Sequence, residues 1–174
     1  MLLRGAQAGL YQVRWSAEII AEVRAGLTGE AACSPAQADH LVGMMTTAFP
    51  EALVQGYEGL TRHMGNELGD RHVLAAAINA RADVIVTDNL RHFPQEVCEP
   101  LGIEVQTADQ FLSAAFDLAP LQMADAFLQQ VDDFCRPSLA PADALTRLDS
   151  KLPSFARRLR TIEAVRRAAV LHRP

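Results

Sequence analysis

The chain has 174 residues, 49% of them hydrophobic, which suits one globular domain or one domain with an appendage. Its formal net charge of −5 argues against a protein that holds nucleic acid by bulk positive charge. Three separated cysteines (Cys33, Cys98 and Cys135) indicate neither a disulfide framework nor a zinc knuckle. No secretory signal and no membrane-length apolar run is apparent, so we expect an unexported cytoplasmic protein.

The first part of the chain is predicted to be mostly helical. Residues 2–10 suggest a short helix, and residues 11–15 suggest a short extended segment. Residues 16–29 combine a serine cap, apolar residues at helical spacing and a glycine stop, which predicts a second helix. A Ser-Pro start and a later proline bound a third helix within residues 34–50. Residues 50–69 are mixed and predicted to be rich in loops.

The second part alternates helices with runs of β-branched residues. Residues 71–80 predict a helix, residues 82–87 a buried strand and residues 103–105 a weaker strand. A capping box made by a threonine and a glutamine predicts a helix over residues 108–116, and everything beyond residue 120 is predicted to be helical. This alternation favours an α/β domain with a parallel sheet.

Two aspartates border the helix and strand at the centre of this pattern. The helix before a parallel strand runs antiparallel to it, so Asp70 and Asp88 are expected at one edge of the sheet, where open α/β sheets place their ligands. Thr87 and Asn89 add further oxygen donors of the kind that Mg²⁺ or Mn²⁺ takes. An N-cap at Asp70 and a turn at residues 88–89 would explain the same residues equally well.

Glu22 is a third acidic candidate. It borders the apolar stripe of the second predicted helix, and no basic residue stands at Gly26 to pair with it across one turn. A metal or active-site role and a solvated helix edge are both compatible with this position. Glu18 lies near the helix start, where the helix dipole explains an acid adequately.

The residues quoted next carry a resemblance to a known family. GDRHVLAAAINARADVIVTDNLRHFP (69–94), preceded by RWSAEIIAEVRAGL (14–27) and ALVQGYEGL (52–60), resembles the PIN-domain family, and within it the VapC-like toxins with a helical C-terminal extension. The resemblance runs from about residue 2 to residue 116. It implies an α/β fold of three layers, α/β/α, with a parallel sheet.

The same resemblance implies a domain division and a function. The PIN-like domain is expected over residues 1–118, with the helical extension over residues 119–174. Members of the family bind one or two divalent metals through a few acidic side chains and cleave RNA. We therefore expect Mg²⁺ or Mn²⁺ as cofactor and RNA as substrate. A cognate antitoxin and a second copy of the chain are the expected partners.

Individual site residues follow from matching the family motifs. Glu22 matches the family's helix glutamate, and Asp70 matches its aspartate before the central helix. Asn89 matches the last acidic position, and the neighbouring Asp88 could stand in for it. We expect metal ligation by all four, and a catalytic role for the three carboxylates (Glu22, Asp70 and Asp88), with Asp88 as candidate general base.

Two other polar features are expected to be structural. His72 and His92 flank the predicted site, but such histidines are more often packed or solvated, so neither enters the catalytic set. The C-terminal segment concentrates six arginines that could follow an RNA backbone or meet an acidic antitoxin: Arg157, Arg158, Arg160, Arg166, Arg167 and Arg173. Its apolar spacing favours a helix that packs one face and solvates the other.

The front of the chain departs from the family pattern. The family begins with a central apolar strand that ends in an aspartate, whereas MLLRGAQ resembles the helix that follows that strand. Either the true start lies upstream or this is a shortened member. We expect the chain as given to bind Mg²⁺ or Mn²⁺ weakly and to cleave RNA poorly. The alternative to a toxin ribonuclease is a catalytically silent PIN scaffold that binds an antitoxin or dimerises.

Overall fold

The computed structural model describes residues 1–29, 33–133 and 140–162, together with residues 165 and 167. Ten α-helices and two short β-strands occur within these ranges. In chain order they are α1 (Leu2–Gln7), α2 (Ala17–Gly29), α3 (Pro35–Ala48), α4 (Glu58–Thr61), α5 (Arg71–Asn79), β1 (Val84–Val86), α6 (Gln95–Cys98), β2 (Glu104–Gln106), α7 (Ala108–Leu118), α8 (Pro120–Asp132), α9 (Pro141–Asp149) and α10 (Pro153–Leu159). None of these helices combines the length and apolar character needed to cross a bilayer.

The predicted helix starts are confirmed by their caps. Ser34 and Gln37 form a complete capping box at the start of α3, and Thr107 and Gln110 form another at the start of α7. The Ser16 hydroxyl accepts a hydrogen bond from a backbone N–H in the first turn of α2 at 3.2 Å. These helices therefore begin where short polar side chains satisfy N–H groups that have no partner inside the helix.

The two strands pair in parallel, as predicted. The backbone N–H of Glu104 donates to the Asp83 carbonyl oxygen at 2.9 Å. Further along the pair, the N–H of Thr87 donates to the Gln106 carbonyl oxygen, also at 2.9 Å. Trp15, the last residue of the segment predicted to be extended at residues 11–15, forms an isolated parallel bridge with Leu53. The α/β PIN-like class with a helical C-terminal extension is confirmed, with two strands in the described sheet.

Both strands are shorter or displaced relative to the prediction. The strand predicted over residues 82–87 extends only from Val84 to Val86, because the residues before it form the turn that ends α5. The N–H of Ala82 donates to the Ala77 carbonyl oxygen, and Arg81 adopts a left-handed φ of 52°. This reverse turn occupies the first residues of the predicted strand.

The described chain divides into two compact units. The first, here called the helical unit, comprises Met1–Gln12, Val86–Asp88 and Gln106–Pro174, and the second, called the site unit, comprises Val13–Ile85 and Asn89–Val105. The predicted boundary between residues 118 and 119 stays a prediction. Cys33 and Cys98 are free thiols, and Cys135 lies outside the described residues.

The site unit has a core of small and medium side chains centred on α5. Leu74 and Ala77 are buried, and Val73 and Ile78 pack against the core while remaining partly exposed. The buried set includes residues from the neighbouring segments: Val54, Tyr57, Met64, Leu74, Ala75, Ala76, Ala77, Ile85, Phe93, Cys98 and Ile103. Packing of this kind fixes the start of α5, from which the candidate site is built.

The helical unit has a core of large side chains that are almost fully buried, including Leu112, Met123, Phe127, Phe155 and Leu159. The start of α10 is held in addition by a polar contact from α7.

That contact comes from the carboxylate of Asp109. It accepts hydrogen bonds from the backbone N–H groups of Ser154 at 3.1 Å and Phe155 at 2.9 Å. Partial burial alone would raise the pKa of Asp109, but these hydrogen bonds outweigh burial and hold that pKa below its usual value. The charged form of Asp109 therefore caps α10.

Candidate functional site

Asp70 occupies the N-cap position of α5 but does not cap the helix with its side chain. A single 3-10 turn, Leu68–Asp70, delivers it there, and the Glu67 carboxylate holds that turn by accepting from the Gly69 N–H at 2.7 Å. The Asp70 carboxylate is directed to another partner, His92. The capping explanation of Asp70, left open by the sequence, does not account for its side chain.

Asp70 and His92 are in direct contact. The Oδ2 atom of Asp70 lies 2.6 Å from Nδ1 of His92, and both side chains are about three-quarters buried, with exposures of 25% and 26%. The backbone brings the two segments together, because the N–H of Glu67 donates to the His92 carbonyl oxygen at 3.3 Å. The contact thus links two loops that are distant in the sequence.

Glu67 completes a compact group of potential metal ligands. One donor atom from each of Glu67, Asp70 and His92 lies within 4.8 Å of the others. Among the described residues, these three form the one group of at least three histidine, cysteine or acidic side chains close enough to share a metal ion. Two carboxylates at this spacing suit a hard divalent cation such as Mg²⁺ or Mn²⁺. Glu67 is not among the site residues that the sequence predicts, and His92 is predicted to lie outside the catalytic set.

Asn89 is held within a hydrogen-bonding network at the same place. Its Nδ2 lies 2.5 Å from His92 Nδ1, and its Oδ1 accepts from Nε of Arg91 at 3.2 Å. The amide oxygen, which is the atom that could bind a cation, is therefore already engaged with a guanidinium. The ligand role predicted for Asn89 stays a prediction.

Glu22 contacts a different histidine. Its Oε1 lies 3.0 Å from Nε2 of His72 in the first turn of α5, two residues beyond Asp70. Glu22 is 58% exposed and His72 only 12% exposed. The structure thus brings Glu22 to the start of α5 through His72, and Glu22 is not a member of the compact ligand group.

The remaining predicted site residues follow β1. The Thr87 N–H extends the parallel pairing, and Asp88 is exposed immediately after it. Glu18, the acidic residue in the first turn of α2, accepts a hydrogen bond from the buried Tyr57 hydroxyl. This hydrogen bond, in addition to the helix dipole, explains an acid at that position.

Two arginines of the basic C-terminal segment form ion pairs within the helical unit. Arg158 makes two hydrogen bonds to Asp117, at 2.9 and 3.0 Å, and this contact holds the pKa of Asp117 below its usual value. Arg160 donates to Asp149 at 3.2 Å, whereas Arg166 and Arg173 lie outside the described residues. With Phe155, Leu159 and Val165 buried, the packing explanation fits the described part of this segment.

Comparisons with known proteins match both the C-terminal segment and a longer part of the chain. Residues 108–161 match the family model described as the VapC50 C-terminal domain. Over 118 residues the chain is 39% identical to "Putative ribonuclease VapC50" of Mycobacterium tuberculosis (strain ATCC 25618 / H37Rv), an overlap that covers 68% of each chain. No solved structure matches. The overlap with the curated relative is longer than the segment matched by the family model.

Proposed function

The chain belongs to the VapC-like PIN toxin family, and from this premise we propose that it is a divalent-metal-dependent endoribonuclease of the toxin–antitoxin type. Its substrate class would be RNA, whose phosphodiester bonds it would hydrolyse. The proposed setting is the cytoplasm, and the proposed partners are a cognate antitoxin and a second copy of the chain.

The orientation of Asp70 is the observation that supports this proposal most strongly. An aspartate at a helix start ordinarily accepts from the first backbone N–H groups. The Asp70 carboxylate instead lies with Glu67 and His92 in a partly buried polar group. Within the described ranges neither carboxylate forms an ion pair with a lysine or an arginine, and oxygen donors gathered in this way suit a divalent cation.

Asp70 is the proposed central ligand, and Glu67 joins the residues that the sequence suggested. Glu22, Asp88 and Asn89 stay proposed ligands on the strength of the family match, through direct or water-mediated contact. When bound, Mg²⁺ or Mn²⁺ lowers the pKa of a coordinated water and offsets charge on the phosphate. The carboxylates would hold the cation, and the exposed Asp88 would accept a proton from the attacking water.

An RNA-cleavage assay with added Mn²⁺ tests the proposal. We expect the chain to cleave single-stranded RNA slowly, EDTA to stop that cleavage, and Asp70→Asn to lower the rate further, at least about 100-fold, since removing one charged ligand weakens both attraction and geometry. Asp83→Asn is the matched control, because Asp83 is an exposed aspartate of the same unit, outside the ligand group. Its rate should stay within about twofold of the unsubstituted chain, as for an ordinary surface position.

Two outcomes would contradict the proposal. Cleavage that persists unchanged in Asp70→Asn or in EDTA would place the activity elsewhere. Absence of cleavage together with absence of Mn²⁺ binding, while the chain remains folded, would favour the silent scaffold that binds an antitoxin or dimerises.

A further inference from the structure

His92 is placed to control the Asp70 carboxylate. Its ring is about three-quarters buried, and its Nδ1 lies 2.6 Å from Asp70 Oδ2. The backbone on either side of the ring is also fixed. The His92 N–H donates to the Asn89 carbonyl oxygen at 3.1 Å, the His92 carbonyl oxygen accepts from Glu67, and Phe93 is buried in the core of the site unit. The ring therefore meets Asp70 from an anchored segment.

The chemistry of the pair determines where the proton lies. An ionised carboxylate can only accept hydrogen bonds, so the contact requires a proton on Nδ1 of His92. Nδ1 also lies 2.5 Å from Nδ2 of Asn89, which can only donate, so that second contact would require Nδ1 without a proton. A hydrogen bond to a charged acceptor is about twice as strong as one between neutral groups, so the charge of Asp70 favours the Nδ1–H tautomer, donating to Asp70.

We propose that His92 is a positioning residue that fixes the Asp70 carboxylate by donating Nδ1–H to its Oδ2 atom. This inference rests on the proposed nuclease function. With Oδ2 held by His92, the Oδ1 atom of Asp70 is the oxygen presented to a cation. A hydrogen-bonded partner of this kind orients a ligand and restricts its rotation before the metal binds.

The alternative role for His92 is direct metal ligation. Mg²⁺ and Mn²⁺ prefer oxygen donors, and the nitrogen nearest the carboxylates is the one that contacts Asp70. Ligation through that nitrogen would require loss of its proton and of the contact with Asp70. The two roles make different demands on the side chain, so substitutions can separate them.

Asparagine and glutamine provide that separation. The Nδ2 of asparagine can take the place of the histidine Nδ1, whereas glutamine extends its amide one methylene further, toward the place of Nε2. We expect His92→Gln to lower RNA cleavage and Mn²⁺ affinity by about 10- to 100-fold, the range typical for loss of a ligand's hydrogen-bonded partner. His92→Asn should restore both to within about threefold. His40→Gln, at an exposed histidine of α3, is the matched control and should leave both unchanged.

A spectroscopic measurement tests the contact without relying on activity. Nitrogen-15 NMR of the unsubstituted chain at pH 8, without metal, should find the His92 ring in the Nδ1–H form, and Asp70→Asn should shift that signal. An Nε2–H form in the unsubstituted chain would overturn the inference. So would equal cleavage and Mn²⁺ affinity in His92→Gln and the unsubstituted chain, or equal losses in His92→Asn and His92→Gln with the fold intact.

Failure of this inference can be told apart from failure of the proposed function. If the unsubstituted chain cleaves RNA in a manner that depends on Asp70, the nuclease assignment stands whatever the His92 variants do. If the unsubstituted chain neither cleaves RNA nor binds Mn²⁺, the nuclease assignment fails and the positioning role fails with it.

Discussion

The two units of this protein are stabilised by different kinds of interior. The helical unit buries large apolar side chains almost completely and uses charged groups such as Asp109 and Arg158 in well-paired contacts. The core of the site unit is richer in alanine and lies beside partly buried polar side chains that contact one another. Apolar packing dominates the core of the helical unit, whereas the group formed by Glu67, Asp70 and His92 keeps oxygen donors accessible at some cost in stability.

A truncation in the core of the helical unit should have the largest effect. Phe155 is fully buried, so Phe155→Ala removes apolar contacts and leaves a cavity. We expect the free energy of unfolding to fall by about 3–5 kcal/mol, measured by urea denaturation. Leu118→Ala is the control, because Leu118 is 88% exposed, and it should change stability by no more than about 0.5 kcal/mol. A loss below about 1 kcal/mol for Phe155→Ala would contradict the inference that apolar packing stabilises the helical unit.

The polar cap of α10 should contribute less, and in a manner that depends on pH. Asp109→Ala removes the acceptor for two backbone N–H groups and should cost about 1–2 kcal/mol at pH 7. Because the pKa of Asp109 is lowered in the folded protein, its charged form contributes stability above the unfolded pKa of about 4 and loses it as the pH falls further.

Urea denaturation at pH 7 and at pH 3 checks the sign of this effect. The difference between the unsubstituted chain and Asp109→Ala should shrink at the lower pH. Asp125→Ala, an exposed change on α8, should show only a few tenths of a kcal/mol at either pH. A difference that grows on acidification would mean that the charged form of Asp109 does not cap the helix.

The smallest expected effect is a gain in stability within the site unit. Asn66 is only 4% exposed, and among the described residues neither side-chain polar atom has a hydrogen-bond partner. Replacing it by leucine, which has a similar shape, should raise the free energy of unfolding by about 1 kcal/mol, since an unpaired buried amide is costly.

Asn79, an exposed asparagine of α5 whose amide is hydrogen-bonded, provides the comparison for this change. Its Nδ2 donates to the Gln55 carbonyl oxygen at 2.9 Å, so Asn79→Leu should lose about 1 kcal/mol. If Asn66→Leu is as destabilising as Asn79→Leu, the Asn66 amide is hydrogen-bonded in solution, and the contrast between the interiors of the two units becomes weaker.

The local features of the fold were predictable because their causes lie within a few residues. The capping boxes at Ser34 and Thr107 each join positions three residues apart, and both helices begin where expected. The ends of the strands were less predictable, since β1 begins only after a reverse turn at Arg81 that its own residue type does not favour. Strand boundaries depend on pairing with a distant segment as well as on composition.

The candidate site was predictable only in part for the same reason. Asp70 stood out because it begins a helix that precedes a strand. Glu67 and His92 did not, because a backbone hydrogen bond between two loops brings them together and no sequence spacing encodes it. Glu22 is near the start of α5, as the family match suggests, but its contact is with His72. The His72 contact depends on how α2 and α5 are placed in space.

The Asp109 cap also bears on where the C-terminal helices can be cut from the rest of the chain. The acceptor for the first N–H groups of α10 lies on α7, about 45 residues earlier in the chain. A fragment of residues 108–162 takes that acceptor with it, and the segment matched by the family model likewise begins at Ala108. A fragment starting at residue 119 leaves Ser154 and Phe155 without their acceptor. For anyone preparing the C-terminal helices separately, the practical cut therefore lies before α7.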